Sequence, residues 1–268
     1  MAETGPVDRN VMTGPFDHLT SIRGQVAIVT GGTAGIGGAC TERFAREGAT
    51  AIAIGRDPAK GEALIGKLRA EGHDAHFFAC DCVEEDQVAE TSKAILERWG
   101  RADILCNIAG GWIEAPPIEE VTNEAMHHNF DWNITSKFLI TRALVPAMKA
   151  NKYGRIVNMS SVAGRGAHRL AALQYSTMEA AVIGFTRRLA VELAPFGIAV
   201  NTIAPGTTLT PRAQRHSEER LAATARAIPV QRLARPDEMA HAIWYLCTPG
   251  AAFTIGAVLD SNGGNWTG

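Results

Sequence analysis

A glycine-rich turn near the start of the chain is the clearest chemistry-bearing pattern in the sequence. Thr30-Gly31-Gly32-Thr33-Ala34-Gly35-Ile36-Gly37 follows a short apolar run and opens a helical pattern. Glycines in such a turn let backbone N–H groups approach a pyrophosphate, and the start of the following helix favours its negative charge. The pattern predicts a dinucleotide site. The expected contacts are Gly31, Thr33, Ala34, Gly35, Ile36 and Gly37.

The end of the second apolar run bears on which dinucleotide is bound. It reads Ile54-Gly55-Arg56-Asp57. An acidic residue at such a strand end binds the ribose hydroxyls of NAD, whereas an arginine can pair with the 2′-phosphate of NADP. Gly55 carries no charge, so we expect NADP in preference to NAD, with Arg56 on the phosphate. The alternative is that Arg56 is a solvated surface arginine. Asp57 before Pro58 is typical of a helix N-cap.

Short β-branched runs alternate with longer helical patterns from Gln25 onward, which indicates βαβ units. The runs are almost continuously apolar, as expected of strands that helices cover on both faces. We predict the α/β class, with a doubly wound (Rossmann) seven-stranded parallel sheet in a single domain, 23–268. The predicted strands are Val26–Thr30, Ala51–Ile54, Ala75–Ala79, Ile104–Asn107, Arg155–Met159, Ile198–Ile203 and Ala257–Asp260. The predicted helices lie near 36–47, 58–71, 84–99, 118–150, 174–195 and 236–247.

Two segments lie outside this alternation. Residues 1–22 are polar and acidic, with Gly-Pro breakers and no apolar signal core, and we predict an N-terminal arm. It is either a disordered tail or an arm that packs on a neighbouring subunit. Gly206–Pro229 is rich in Thr, Arg and Ala, and we predict a long irregular loop that covers a binding site.

The composition limits the classes of partner. With 46% hydrophobic and 20% charged residues, the chain has the composition of an ordinary globular protein. A net charge of −2 gives no reason to expect a nucleic acid or a membrane surface as partner. The five cysteines are odd in number and mostly lie in apolar segments, which favours reduced thiols and a cytoplasmic location. Cys80 and Cys82 have no second Cys/His pair at zinc spacing, so no metal is expected.

Further motifs occur in a fixed order along the chain. They are Asp81 with Cys82, Asn107-Ile108-Ala109-Gly110, Asn133, Ser161 in a Ser-Ser pair, Tyr175, and Pro205-Gly206-Thr207-Thr208-Leu209-Thr210. Together with the glycine turn, they give residues 23–264 a resemblance to the short-chain dehydrogenase/reductase family. The resemblance implies a dinucleotide-dependent oxidoreductase that acts on a small carbonyl or alcohol substrate. It also implies a homodimer or homotetramer.

The resemblance assigns a role to each motif. Ser161 would polarise the substrate oxygen, Tyr175 would donate or remove its proton, and Asn133 would hold a water of the proton relay. The implied catalytic positions are Asn133, Ser161, Tyr175 and Glu179. The implied cofactor contacts are Asp81 at the adenine, Cys82, Asn107, Ala109, Gly110, Tyr175, Glu179, and, near the nicotinamide carboxamide, Pro205, Gly206, Thr208 and Thr210.

Position 179 departs from the family pattern. The family has a lysine four residues after the tyrosine, and this chain has Glu179, on the same helix face as Tyr175. The carboxylate could still accept hydrogen bonds from the cofactor ribose. At ~6 Å and an effective dielectric of ~20, however, one unit charge contributes roughly 3 kcal/mol, or about two pKa units. A negative charge raises the tyrosine pKa, so we expect a slow enzyme that favours carbonyl reduction over alcohol oxidation.

Three functions are compatible with this departure. The first is an oxidoreductase with a modified relay, in which Lys137, four residues after Asn133, supplies the missing ammonium group; the alternative for Lys137 is a surface or subunit-interface lysine. In the second, Glu179 is a general acid or base in a dehydration, isomerisation or elimination. In the third, the chain binds a dinucleotide and has lost catalysis.

Several residues are candidates for the substrate side of the cleft. His168 could carry protons, because its pKa is accessible near neutrality. Arg165, Arg212 and Arg215 could suit an anionic substrate. Trp112 could line the cleft with its ring. For the histidine and the arginines, the alternative is an exposed position in a solvated loop.

Overall fold

The computed structural model describes residues 17–111, 115–167 and 171–268. Trp112 and His168 lie outside the described residues, and so does the stretch 1–16 of the predicted arm. The described remainder of that arm contains Ile22, whose side chain is fully buried in the core of the domain.

Seven parallel strands form one sheet. They are β1 (Val26–Thr30), β2 (Thr50–Gly55), β3 (Ala75–Ala79), β4 (Ile104–Asn107), β5 (Gly154–Met159), β6 (Ile198–Pro205) and β7 (Val258–Ser261). Their order is β3-β2-β1-β4-β5-β6-β7, and all pairs are parallel. The predicted doubly wound sheet is confirmed. The order reverses between β1 and β4, and such a sheet binds ligands in the crevice at the carboxyl ends of the strands there.

The helices cover both faces of the sheet. They are α1 (Asp17–Thr20), α2 (Gly35–Arg46), α3 (Pro58–Ala70), α4 (Glu85–Trp99), α5 (Asn123–Phe130), α6 (Ser136–Asn151), α7 (Leu173–Leu193), α8 (Glu218–Ala227) and α9 (Pro236–Cys247). Asp57 caps α3 by accepting a hydrogen bond from Lys60 N at 3.2 Å, as predicted. In the part of the chain that is described, no helix is long and apolar enough to cross a bilayer.

Two clusters of apolar side chains fill the space between the helices and the sheet. On one face, Val29 and Ile104 of the central strands pack with Phe44 of α2 and Ile243 of α9. The next residue along each strand points to the opposite face, because side chains alternate in a strand. The second cluster therefore holds Ile28, Leu105, Ile156 and Val200 together with residues of α4, α6 and α7.

The predicted helical stretch near 118–150 is present, but it is not one regular helix. A 3-10 turn at Ile118–Glu120 precedes α5, and a π-helical turn at Asp131–Thr135 joins α5 to α6. Thr122 caps α5 by accepting a hydrogen bond from Ala125 N at 3.1 Å, so the helix begins there. Within the π turn, Asn133 Nδ2 donates to Asn129 O at 3.0 Å. Such turns often lie at functional sites, and apolar periodicity does not reveal them.

The expectation of an irregular loop over Gly206–Pro229 is wrong in its second half. Glu218–Ala227 forms α8, and Ser217 caps it by accepting a hydrogen bond from Arg220 N at 3.3 Å. Glu218 and Glu219 in the first turn favour the helix through its dipole. The serine followed by two acidic residues is a helix-start signal in the sequence.

Candidate active site

The glycine turn closes tightly between β1 and α2. Gly31 and Gly35 have positive φ angles of 63° and 56°, a region that favours glycine. A Cβ at Gly37 would overlap the carbonyl oxygen of Gly31, so a larger residue does not fit. Ala34, at the N-cap of α2, is extended and contributes no side-chain hydrogen bond to the first turn. This arrangement of backbone N–H groups fits a pyrophosphate.

The end of β2 brings together two of the predicted cofactor residues. Arg56 Nη1 lies 3.6 Å from Asp81 Oδ2, and the Arg56 side chain is 66% exposed. A Cβ at Gly55 would lie 2.9 Å from Thr33 Cγ2, so the turn leaves little room for a side chain at position 55. Cys82 is nearly buried behind this edge. An exposed arginine with one weak carboxylate partner suits the 2′-phosphate of NADP.

The side chain of Asn107 is fully buried, although the sequence analysis predicts a contact with the cofactor at this position. Its Nδ2 donates to Asn158 Oδ1 at 2.8 Å and to Thr141 Oγ1 at 3.0 Å, and its side chain has no exposed area. Asn158 Nδ2 in turn donates to Thr186 Oγ1 at 2.9 Å. This side-chain network ties β4 and β5 to α6 and α7. The side chain of Asn107 therefore fixes the packing of the central strands against these two helices.

The turn after β4 is fixed by hydrogen bonds from both sides. Ile108 N and Ala109 N donate to Thr30 Oγ1 at 3.1 and 3.2 Å. Gly111 N donates to Asn133 Oδ1 at 2.8 Å, and Asn133 Nδ2 donates to Gly111 O at 3.0 Å. The side chain of Asn133 thus holds the turn that carries the predicted cofactor residues Ala109 and Gly110. Its predicted role in holding a relay water stays a prediction.

Ser161 and Tyr175 come together at the carboxyl end of β5. Ser161 Oγ accepts a hydrogen bond from Ala163 N at 3.2 Å, which fixes its side chain at the start of a 3-10 turn. The hydroxyls of Ser161 and Tyr175 share a hydrogen bond. Burial, followed by the charge of Glu179, raises the pKa of Tyr175 well above its usual value, and the bond to Ser161 acts in the opposite sense. The tyrosine is therefore held in its protonated form.

Glu179 lies one helical turn after Tyr175, with its side chain inside the protein. Its carboxyl group is hydrogen bonded to the Tyr175 hydroxyl. Its backbone is also fixed, because Ser160 Oγ donates to Glu179 O at 2.9 Å and a Cβ at Gly164 would lie 2.6 Å from the Glu179 carbonyl carbon. Only 3% of the residue is exposed. Among the described residues, none forms a hydrogen bond with Glu179 Oε2.

Two opposing effects set the ionisation of Glu179. Burial raises the pKa of the carboxyl group to about 7, and the nearby ammonium group of Lys137 limits the rise. A carboxyl group with such a pKa is partly protonated near neutrality. Glu179 can therefore donate or accept a proton under physiological conditions.

Lys137 is buried in the interior of the domain, so the expectation of a surface lysine is wrong. It is 2% exposed, and its Nζ donates to Ala109 O at 2.9 Å. Burial lowers the pKa of Lys137, while the charge of Glu179 favours the ammonium form. A buried lysine requires such partners, because an unpaired ammonium is costly in an apolar interior. The four-residue spacing predicts that Lys137 and Asn133 lie on the same helix face. It does not predict that this face of the helix packs against the site.

The loop after β6 closes the other side of the crevice. Thr208 Oγ1 donates to Gly206 O at 3.1 Å, and a Cβ at Gly35 would lie 3.3 Å from Thr210 Cγ2. The segment Pro205–Thr210 thus packs directly against the glycine turn.

The arginines predicted for the substrate side separate in the structure. Arg165 Nε pairs with Asp260 Oδ1 at 3.0 Å, and its guanidinium stacks on Trp266 at 4.0 Å, so it is tied to the C-terminal segment. Arg212 lies over the Trp132 ring at 4.9 Å and beside Gly111, and its charge favours the ionised form of Tyr175. Arg215 belongs to a 3-10 turn and is exposed. Of these three arginines, Arg212 is the one whose charge acts on Tyr175.

Across the described ranges 17–111, 115–167 and 171–268, no group of three or more His, Cys, Asp or Glu side chains could hold a metal ion. Cys80 and Cys82 are both buried free thiols that hydrogen bond to each other.

Comparisons with known proteins agree with this geometry. The family model described as short chain dehydrogenase matches residues 25–221. The chain is 35% identical over 246 residues to cyclopentanol dehydrogenase of Comamonas testosteroni, covering 91% of this chain and 97% of that relative. It is 32% identical over 263 residues to the short-chain reductase protein NovJ of Streptomyces niveus, covering 94% and 99%. A solved structure of an actinorhodin polyketide ketoreductase variant with NADPH superposes with a TM-score of 0.86 at 31% identity, covering 90% and 97%.

Proposed function

The chain belongs to the short-chain dehydrogenase family, and on that basis we propose that it reduces a carbonyl group of a small molecule with NADPH. The observation that carries the proposal is the hydrogen bond between Ser161 and Tyr175 beside the glycine turn. Two hydroxyl groups at that place can bind and protonate one substrate oxygen. The raised pKa of Tyr175 favours reduction, because a protonated tyrosine donates and does not abstract.

The residues of the crevice fit a nicotinamide dinucleotide. The glycine turn would hold the pyrophosphate, Arg56 the 2′-phosphate, and Pro205–Thr210 the nicotinamide end. The buried Oε2 of Glu179 would accept a hydrogen bond from a ribose hydroxyl, since it lacks a partner among the described residues. When bound, NADPH supplies the hydride for the reduction.

The chain itself supplies the electrophilic and acidic groups. Ser161 donates a hydrogen bond to the carbonyl oxygen and polarises it. Tyr175 donates its phenolic proton to the same oxygen as negative charge develops there. Asn133 keeps the turn at Gly111 in place, and Arg212 above Trp132 limits the open side of the crevice.

We expect Tyr175→Phe to lower the kcat of carbonyl reduction by about 10²–10⁴-fold, the usual contribution of a general acid. NADPH oxidation with a panel of ketones and aldehydes is the measurement. Tyr153→Phe is the matched control, because its hydroxyl bonds to Gln25 at 3.2 Å outside the crevice. A Tyr175→Phe variant as fast as the unaltered protein would disprove the role of the tyrosine.

We expect Arg56→Ala to weaken NADPH binding by about tenfold, because one charge-assisted contact with phosphate is lost, and to leave NADH binding unchanged. Tryptophan fluorescence quenching gives both dissociation constants. Arg235→Ala is the control, since that arginine is equally exposed, at 66%, and pairs with Asp237. Equal weakening for both cofactors would contradict a 2′-phosphate contact.

A non-redox reaction is the second candidate, and the buried carboxyl of Glu179, with a pKa of about 7, favours it. A carboxyl group in that state can act as the acid or base of a dehydration or isomerisation. Product formed from a hydroxy-carbonyl substrate without net NADPH consumption would support this candidate. Dinucleotide binding with no turnover of any kind would indicate a non-catalytic protein.

We also propose a homodimer or homotetramer in the cytoplasm. Exposed apolar side chains lie on α5, α6 and α7, namely Phe130, Phe138 and Val191. Burying such a surface stabilises an assembly. Light scattering of the purified protein measures the number of subunits. The five cysteines are free thiols, which supports a reducing compartment.

A further inference from the structure

We infer that Glu179 is the proton carrier that restores Tyr175 after each turnover, and that Lys137 is a positioning residue whose charge favours the carboxylate formed in that step. This inference rests on the proposed carbonyl reduction. It concerns a part of the reaction that the Ser161–Tyr175 pair does not supply, namely the origin of the proton that replaces the one given to the substrate.

The contact between Glu179 and Tyr175 has the geometry that a proton transfer needs. The carboxyl group and the phenolic hydroxyl share a hydrogen bond on one face of α7. When the carboxyl group is protonated, its O–H donates to the phenolic oxygen, and the phenolic O–H can donate to the substrate oxygen. The backbone of Glu179 is clamped by Ser160 and Gly164, which keeps the bond in place.

Lys137, on the neighbouring helix α6, acts on the same carboxyl group through its charge. Its side chain is among the largest that are fully buried, and its one hydrogen bond in the described structure goes to Ala109 O. The charges of Lys137 and Glu179 act on each other in both directions. Burying a lysine and a carboxyl group has a desolvation cost that their mutual attraction often fails to repay.

The ionisable and hydrogen-bonding groups around Glu179 come from three elements. Tyr175 lies on its own helix, Lys137 on α6, and Ser160 at the end of β5. Farther out, Cys82 faces Lys137 and Arg212 faces Tyr175. The pKa of Tyr175 lies well above that of Glu179, so the proton moves downhill from the carboxyl group to a tyrosinate.

The proton inventory balances over one cycle. Tyr175 gives its phenolic proton to the substrate oxygen, breaking its O–H bond and forming that of the alcohol. The protonated carboxyl of Glu179 then gives its proton to the tyrosinate. The carboxylate that remains lies beside the ammonium group of Lys137, and it takes a proton from solvent before the next cycle. No oxidant or reductant is needed beyond the proposed hydride donor.

The kcat of carbonyl reduction, measured from pH 5.5 to 9, tests the inference, with pH values chosen around the pKa of about 7. The working form of Glu179 is protonated, so kcat must fall as the pH rises through this value. Glu179→Gln cannot carry a proton, and we expect its kcat at low pH to be lower by about tenfold or more and independent of pH. A flat profile of the unaltered protein, or an unchanged profile in Glu179→Gln, would overturn the inference.

The pH dependence of kcat in Lys137→Met tests the positioning role, because replacing a purely structural residue would not shift this pH dependence. Without the ammonium group the carboxyl group holds its proton more tightly, so the fall in kcat shifts to higher pH by about one unit or more. The matched control is Lys93→Met, because Lys93 pairs with Glu97 at 3.8 Å on the surface and is 75% exposed. A profile of Lys137→Met that coincides with that of the control rules out the role of Lys137.

A measurement without turnover separates this inference from the proposed function. Carbon-13 NMR of glutamate carboxyl groups follows the titration of Glu179, identified by its loss in Glu179→Gln. We expect a transition near pH 7 that moves upward in Lys137→Met. If that transition is present and no carbonyl compound is reduced at any pH, the proposed function fails while the charge pair stands. If carbonyl reduction is present and Glu179 titrates near pH 4, the carrier role fails alone.

Discussion

Glu179→Lys, which introduces the residue implied by the family pattern, is expected to inactivate and destabilise the protein. Lys137 already places an ammonium group at this point, buried and bonded to Ala109 O. The substitution would leave two buried ammonium groups together with no carboxylate. An uncompensated buried charge costs about 3–5 kcal/mol. Urea unfolding measures the free energy of unfolding, and NADPH oxidation measures the activity.

The second substitution Lys137→Met should reverse much of this loss. In the double variant only one ammonium group remains, at position 179, where it lies beside the Tyr175 hydroxyl. We expect the double variant to be more stable than Glu179→Lys alone by about 2 kcal/mol or more and to recover carbonyl reduction. The exposed pair Lys93 and Glu97 provides the control cycle, for which the coupling should be within about 0.5 kcal/mol. A faster and equally stable Glu179→Lys single variant would show that Lys137 does not act on this site.

Gly37→Ala is expected to abolish dinucleotide binding. The added Cβ would overlap the carbonyl oxygen of Gly31, which is backbone and cannot rotate away. Gly31 and Gly37 are the two sides of the turn, so one of them must move. The N–H groups that would face the pyrophosphate then move with it. Fluorescence quenching by NADPH should show a loss of affinity of about 100-fold or more.

Gly66→Ala is the matched control for this experiment. Gly66 lies within α3, and a Cβ there would have no atom within 4 Å. Alanine is favoured over glycine in a helix, so this variant should gain about 0.5–1 kcal/mol in the free energy of unfolding and bind NADPH normally. Unimpaired NADPH binding by Gly37→Ala would exclude the glycine turn as the pyrophosphate site.

The sheet could be predicted from the sequence because its strands are buried on both faces. A strand such as Val26–Thr30 is apolar at nearly every position, and turn residues mark its ends. The π turn around Asn133 is harder to predict from the sequence, because the pattern of apolar residues does not reveal it. The sequence analysis does not predict α8. It gives more weight to the Thr and Arg content of the segment than to the capping serine.

The order of the motifs along the chain is enough to predict the candidate catalytic residues. Their pKa values, however, depend on residues that are distant in the sequence. The sequence places Tyr175 and Glu179 on one face of a helix, and the structure adds that Glu179 is buried and Tyr175 partly buried there. No local pattern in the sequence indicates that the charge of Lys137 acts on the carboxyl group of Glu179, because this effect depends on how α6 and α7 pack together. The inward orientation of Asn107 likewise follows from its partners on β5 and α6.

The pairing of Lys137 with Glu179 constrains the order in which these two positions could change during evolution. Exchanging Glu179 for lysine first passes through an intermediate with two buried like charges, which selection would remove. Losing Lys137 first is tolerable, because a buried carboxyl group can keep its proton and remain neutral. The two substitutions can therefore occur in one order only, with Lys137 lost before Glu179 is exchanged. That order is possible because Glu179 can be a neutral carboxylic acid in the intermediate.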